Sequence, residues 1–299
     1  MPTVSVIIPT YNRGWALNRA IDSVLAQEFH DFEIIVVDDG SSDNTSKILQ
    51  SYPQISVVRQ AQGGVSAARN AGIAWAAGGL ITFLDSDDLW LPEKLSAQVA
   101  FFDAHPEALI CQTEEIWIRN GKFVNPKKRH KKYSGMIFEQ CLELCIVSPS
   151  AVMMRRSLFD EIGTFDETLP VCEDYDLWLR AAWRFPIYLI EAPLVIKYGG
   201  HSDQLSRKWG ADRFRIQSLK KVLESDMLSY SQYTAALAAL RRKCEIYATG
   251  CLKRGRENEA NQYMRLSDQF TKQADSLLKS TESLPQSTLP FENTSGQSP

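Results

Sequence analysis

Three carboxylates fall within four residues at Asp85-Ser86-Asp87-Asp88, directly after the apolar run Leu80-Ile81-Thr82-Phe83-Leu84. Acids packed this closely at the end of a buried strand repel one another. A divalent cation relieves that repulsion, and hard oxygen ligands suit Mg²⁺ or Mn²⁺. Mg²⁺ in turn shares its shell with substrate phosphates, so the stretch points to a metal-bound phosphate compound. The competing reading is an acidic turn that caps the next helix. Three further polar clusters follow apolar runs: Pro9-Thr10-Tyr11-Asn12-Arg13, Asp38-Asp39-Gly40-Ser41, and Gly63-Gly64-Val65-Ser66 with Arg69-Asn70 behind it. Each alone reads as turn chemistry. Gly63-Gly64 is no P-loop, because no GKS or GKT follows, and it lacks the GxGxxG of a dinucleotide fold. A second acidic pair, Glu173-Asp174, precedes Tyr175-Asp176-Leu177-Trp178 and could equally be an acid-rich helix start.

The elements that must position these clusters alternate in hydrophobic period. Val4–Ile8, Phe32–Val37, Ile55–Val58 and Leu80–Leu84 are short, β-branched or apolar runs and read as strands. Between them, Trp15–Ala26, a segment capped at Ser42-Asp43 and running to Ser51, and Val65–Ala77 carry helical spacing, and Gly78-Gly79 closes the last. Pro92 opens a helix reaching His105. Strands alternating with helices give a parallel sheet with right-handed crossovers. Ligands bind beyond the carboxyl ends of such strands, so the four clusters converge on one rim. Farther on, Leu109–Ile118 and Lys122–Val124 flank an Asn120-Gly121 hairpin signal. Helices are expected at 137–144 and 175–183, strands at 150–154 and 187–190, and helices at 211 onward, 231–252 and 257–278.

Composition bounds the answer. The 299 residues, 44% hydrophobic, suffice for one large core with an appendage. A net charge of -3 argues against general nucleic-acid binding. The six cysteines form no CxxC pair and offer no zinc spacing, which fits reduced thiols and a cytoplasmic protein. Met1-Pro2-Thr3 leads straight into a strand, so no signal peptide is expected, and no apolar stretch is long enough to span a bilayer.

Taken in order and with their spacing, Pro9–Arg13, Val37–Asp43, Gly64–Gly72 and Phe83–Asp88 resemble family 2 glycosyltransferases over Val4 to His201. The resemblance implies an α/β GT-A fold: a Rossmann-like, mostly parallel central sheet flanked by helices. It implies an inverting transfer of sugar from a nucleotide sugar, a UDP-sugar first, to a hydroxyl of a glycan or glycolipid, with Mn²⁺ or Mg²⁺ as cofactor. Residues 1–210 would carry the transferase, 211–279 a helical C-terminal extension, and 280–299, rich in Ser, Thr, Pro and Asn, a disordered tail. By the same resemblance Pro9, Thr10, Tyr11, Asn12, Arg13, Asp39, Gly64, Ser66, Arg69, Asp85 and Ser86 would line the nucleotide site. Asp39 would accept the imide N–H of uracil, and Arg69 would set a cation near the base or phosphates.

Asp85 and Asp87 match the family's DxD, with Asp87 the direct metal ligand and Asp85 nearer the ribose or the metal's water. Asp88 is either a site residue or, with slight preference, the cap of the helix after Pro92. Glu173-Asp174 resembles the catalytic acidic pair, Asp174 being the base that deprotonates the acceptor. Trp178 either lines the acceptor pocket or belongs to the core. In related enzymes a histidine after the core binds metal or diphosphate, which singles out His201. Ser206 and Arg207 would meet phosphate beside it. The basic run Lys127–Lys132 is a solvated loop or a contact for an anionic acceptor or the inner membrane face. A homodimer stays open. Rival readings are a sugar nucleotidyltransferase, which Tyr11–Gly14 fits poorly, and a nucleotide-sugar-binding module without transfer activity.

Overall fold

Of the first four strands, β1 (Val4–Thr10) and β4 (Leu80–Phe83) are buried throughout, and each strand ends where polar residues begin. A computed structural model describes residues 1–125, 127–201, 209–225 and 227–282. In it β1 (Val4–Thr10), β2 (Phe32–Asp38), β3 (Ser56–Arg59) and β4 (Leu80–Phe83) lie parallel in the order β3-β2-β1-β4. Their crossovers contain α1 (Leu17–Leu25), α2 (Thr45–Leu49) and α3 (Val65–Trp75). Leu17, Ile21 and Val24 of α1 pack into one core with Val6, Ile8, Ile34 and Val36. Burying such side chains is worth about 1.5–3 kcal/mol each. On α3, a Cβ at Gly72 would stand 2.4 Å from Ile7 Cγ2, so the missing side chain lets the helix lie against β1. That close approach places Arg69, one turn earlier, beneath the rim.

Beyond β4 the sheet changes character. β8 (Val152–Arg155) joins β4 antiparallel, and β6 (Ile110–Arg119) joins β8 antiparallel. β9 (Tyr188–Gly199) then runs parallel to β6, β5 (Leu89–Trp90) closes that edge antiparallel to β9, and β7 (Lys122–Phe123) pairs with β6. The sheet is thus parallel around β1 and mixed around β6. Packed around this half are α4 (Lys94–Ala104), α5 (Phe138–Glu143), α6 (Leu158–Ile162) and α7 (Glu173–Ala182).

β9 extends nine residues past its expected end at Ile190, and β5 is new. Glu191-Ala192-Pro193 reads as a breaker, since Pro donates no ladder hydrogen bond. The structure absorbs it in a bulge: Thr113 pairs with Ile190, and Glu114 pairs next with Pro193.

Two compact units follow one another, Met1–Lys243 and Cys244–Pro299. In the first, α8 (Ala211–Leu223) packs on α7, where Lys221 meets Asp176 at 3.2 Å. α9 (Tyr230–Leu252) begins in that unit, and its Lys243 Nζ donates to the Glu143 carbonyl at 2.9 Å. In the second, α10 (Glu257–Glu282) faces the end of α9 through a Tyr247–Tyr263 ring contact at 4.6 Å. Most of the expected 280–299 tail lies outside the described residues, as do Ser206 and Arg207. No helix among the described residues is long and apolar enough to cross a membrane.

Candidate active site

The strand ends build the rim in two parts. At the first, β1 and β2 stop in register, Thr10 beside Asp38. Asn12 takes φ 52°, a region that Asn tolerates better than most residues. Its backbone N–H donates to Ser41 Oγ at 2.9 Å, and its Oδ1 accepts the Ser42 N–H at 2.8 Å. Asp39 accepts the Gly63 and Gly64 N–H groups, both at 2.8 Å, and Gln60 Nε2 at 2.7 Å. Gly64, at φ 92°, then opens α3. Asp39 and Asn12 therefore shape the loops that surround the rim, leaving Tyr11 exposed and Thr10 Oγ1 buried without a partner among the described residues.

The second part is a network of charges. Arg69 is only 3% exposed; its Nη2 meets Asp85 Oδ1 at 2.7 Å and its Nη1 meets Glu173 Oε1 at 2.6 Å. Both Nη atoms of this guanidinium join the end of β4 to the start of α7, while its Nε has no partner among the described residues. Ser66 is likewise buried, its hydroxyl facing the Leu169 carbonyl at 3.4 Å, and does not line the rim. Ser86 is also buried, and Pro9 lies inside β1 opposite Val37.

Asp88 is not a helix cap. Its Oδ2 accepts from Ser150 Oγ at 2.7 Å, its Oδ1 accepts the Tyr198 N–H at 3.1 Å, and Lys197 Nζ lies 3.8 Å away. The helix it was expected to cap starts at Lys94 without it. Ser150 also accepts the Asp85 N–H at 3.1 Å, so one hydroxyl ties Asp85 and Asp88 together.

Asp87 points the other way, with His201 Nε2 2.8 Å from its Oδ2 and both side chains under one-fifth exposed (18% and 17%). The edge of Trp15 meets the His201 ring at 5.5 Å. Burial and the neighbouring Asp85 charge push the Asp87 carboxyl upward, against the pull of Arg13 and His201. Burial pushes Asp88 to about 8, with Lys197 opposing and Asp85 and Asp87 adding to the rise. For Asp85, burial is outweighed by Arg69 and Lys197, which hold it low. Asp85, Asp87 and Asp88 thus crowd one largely buried turn, where burial and mutual repulsion oppose full ionisation, and a cation would relieve that crowding. Among the described residues no three His, Cys, Asp or Glu side chains gather into a closed metal cage. Asp87 and His201 are an open pair of donors, and Asp85 Oδ2 accepts no hydrogen bond among the described residues.

Across Arg69 stands the first turn of α7. Cys172 precedes it at φ 64°, a strained region for a residue with a side chain. Burial and the Asp174 charge push Glu173 to about 7, with Arg69 opposing. Asp174 is half-buried, and its Oδ2 accepts the Cys145 thiol at 3.2 Å. Burial, reinforced by the Asp174 charge, pushes that thiol far up, so it remains a donor. Trp178, 1% exposed, takes the core alternative of the two expected for it.

Lys197, Ser150, Cys145 and Trp15 had no assigned role in the sequence reading. In the sequence Lys197 stands four residues before His201. The basic run is also divided: Lys132 turns inward, donates to the Thr113 carbonyl at 2.8 Å and pairs with Glu115 at 3.1 Å. Burial opposes ionisation of Glu115, but Lys132 and Lys197 outweigh it and hold the carboxyl at about 2.

Residues 5–163 match the family described as glycosyl transferase family 2. An uncharacterized glycosyltransferase of Rickettsia bellii is 32% identical over 244 residues, 76% of this chain and 35% of that protein; the chain thus spans about a third of that relative's length. The Escherichia coli UDP-Glc:alpha-D-GlcNAc-diphosphoundecaprenol beta-1,3-glucosyltransferase WfgD is 34% identical over 182 residues, 59% of this chain and 68% of WfgD. In fold, the crystal structure of S. aureus TarS 1-349 in complex with UDP-GlcNAc superimposes with a TM-score of 0.64 at 18% identity, covering 89% of this chain and 92% of that one. The ordered strand-end motifs, the sheet that carries them and these likenesses agree: the chain belongs to glycosyl transferase family 2.

Proposed function

We propose that this protein moves a sugar from a UDP-sugar to a hydroxyl of a lipid-linked glycan, inverting the anomeric centre. The observation that carries this reading is the Arg69 clamp, 2.7 Å from Asp85 and 2.6 Å from Glu173. It fixes the acidic end of β4 opposite the acidic start of α7, so a bound donor and an attacking hydroxyl have separate walls of one cleft. The nucleotide would rest on Thr10, Tyr11 and Arg13, against the turn that Asp39 and Gly64 shape. The diphosphate would lie toward Asp87 and His201. Those two, with Asp85 behind them, would hold Mn²⁺ or Mg²⁺, a donor set that leaves most of the shell to phosphate oxygens and water. When bound, such a cation neutralises the charge of the departing nucleoside diphosphate.

Asp174 is the base of this proposal. Its position in the first turn of α7 lets helix N–H groups stabilise its charge. Cys145 holds one of its oxygens, and the remaining lone pairs can take the acceptor's proton. Lys197, beside Asp88, and Arg69 keep the surrounding acids apart and ordered. Catalysis is assigned to residues 1–210, with 211–279 as a helical extension. The name of WfgD, a UDP-Glc enzyme acting on a diphosphoundecaprenol, supports both the nucleotide and the class of acceptor.

Titration calorimetry with UDP, GDP and dTDP, each with and without Mn²⁺, tests the donor half. UDP should bind most tightly, and only with metal present. No binding of any nucleoside diphosphate by folded protein would sink the proposal, and preference for GDP or dTDP would replace the base.

A further inference from the structure

The segment from Arg119 to Met136 departs in charge from the rest of the molecule. It holds seven Lys or Arg residues and no acidic one, in a chain whose net charge is -3. Lys132 alone of these is buried, in its pair with Glu115. Arg119, Lys122, Lys127, Lys128, Arg129 and Lys131 are exposed, and among the described residues none meets an acidic side chain. Apolar side chains stand out among them: Phe123 is 80% exposed and Met136 57%. The segment is nevertheless anchored. The Val124 N–H donates to the Trp117 carbonyl at 2.9 Å, and the Trp117 and His130 rings meet at 5.1 Å.

Its position relates it to the candidate active site. Arg119 pairs with Gly199 across β6 and β9, and the Asn120 N–H donates to the Gly199 carbonyl at 3.2 Å. A Cβ on Gly200 would fall 2.1 Å from Asn120 Oδ1, so only glycine lets the two turns touch. His201 follows at once, 2.8 Å from Asp87. The basic hairpin therefore borders the metal end of the cleft.

We propose that residues 119–125 and 127–136 form a docking surface for an anionic lipid bilayer, which brings the mouth of the cleft to the membrane. Basic side chains near an anionic leaflet are attracted to it, each strengthening binding about fivefold. An exposed Phe and Met between them can enter the boundary of the acyl region, as interfacial segments do. Nucleic acid would use the charge but leave Met136 and Val124 without apolar cover. The surface itself does not depend on the catalytic assignments, since binding to lipid is read without turnover.

Co-sedimentation of the full chain with vesicles tests it. Equimolar phosphatidylcholine and phosphatidylglycerol should pellet the protein at low salt, phosphatidylcholine alone should not, and added salt should release it. Lys127→Gln, Lys128→Gln and Arg129→Gln together should weaken partitioning roughly 100-fold. Phe123→Ser should weaken it about tenfold. Should the triple variant lose its wild-type melting temperature, Arg119→Gln with Lys122→Gln takes its place. Equal binding to neutral and anionic vesicles, or unchanged binding by a folded charge variant, would each overturn the proposal. Calorimetric failure of UDP binding with lipid binding intact would remove the donor assignment and leave this surface standing.

Discussion

The rim at the ends of β1 and β2 and the rim built by β4, β9 and α7 are both crowded with polar side chains, yet they are held in opposite ways. In the first, loops grip one another through local hydrogen bonds: Asn12 with Ser41 and Ser42, Asp39 with Gly63 and Gly64. Such bonds shape the loops and are made without any ligand. In the second, carboxylates from distant elements share Arg69 and Lys197, and burial, reinforced by the neighbouring acids, raises the pKa values of Asp87 and Asp88 against the cations present. The difference teaches that polar crowding alone does not mark a reactive centre. Carboxylates gathered from distant elements and buried together do.

Substitutions can break that contrast. The largest effect is expected from Asp174→Asn, which should lower kcat by about 10³-fold, within the range for loss of a general base, while leaving donor affinity within a factor of about three. Rapid-quench turnover and calorimetry on one preparation would separate the two; loss of donor binding would make Asp174 structural. Arg69→Met strands two acids beneath the rim and should cost roughly 3–5 kcal/mol in urea unfolding, the usual penalty for breaking a buried pair. A cost near zero would mean that solvent already reaches the clamp.

Glu115→Gln sharpens the pH side of the comparison. Glu115 ionises at about 2 in the folded protein against an ordinary 4.5, so its stabilisation is whole above the ordinary value and is lost as pH falls through the folded one. The variant should therefore be about 3 kcal/mol less stable than the parent at neutral pH and should converge with it near the acid end. A gap that stays constant across the range would exclude the carboxylate's charge as the cause.

On the hydrogen-bonded rim, Asp39→Ala should cost about 1–3 kcal/mol, since it leaves the Gly63 and Gly64 N–H groups without an acceptor. Protease nicking near residues 60–64 would report the loosened turn. The smallest effect belongs to the thiol beside the base. Cys145→Ala should reduce kcat about fivefold through a lost weak donor, and Cys145→Ser should restore it. Equal loss in both would point to packing instead.

How far the sequence could be read depended on distance along the chain. β1 to β4 were legible because each is a β-branched run closed by a polar turn within a few residues. The acidic pairs were legible for the same reason, as local clusters. β9 was not, because Pro193 is tolerated only through a bulge in its pairing with β6, and β5 is a two-residue strand visible only beside β9. Asp88 and Lys132 were misplaced because their partners, Tyr198 and Glu115, belong to other elements.

Sequence alone determined the alternation of strands and helices, the order of the strand-end motifs and the family they point to, since these are patterns of a few adjacent residues. Tertiary structure decided which charges neutralise which: Arg69 is spent between β4 and α7, Lys197 is delivered to Asp88, and Trp178 is closed into the core. The physical reason is that ion pairing and desolvation depend on separation in space. Residues 104 positions apart, such as Arg69 and Glu173, leave no mark of that separation in the order of the letters.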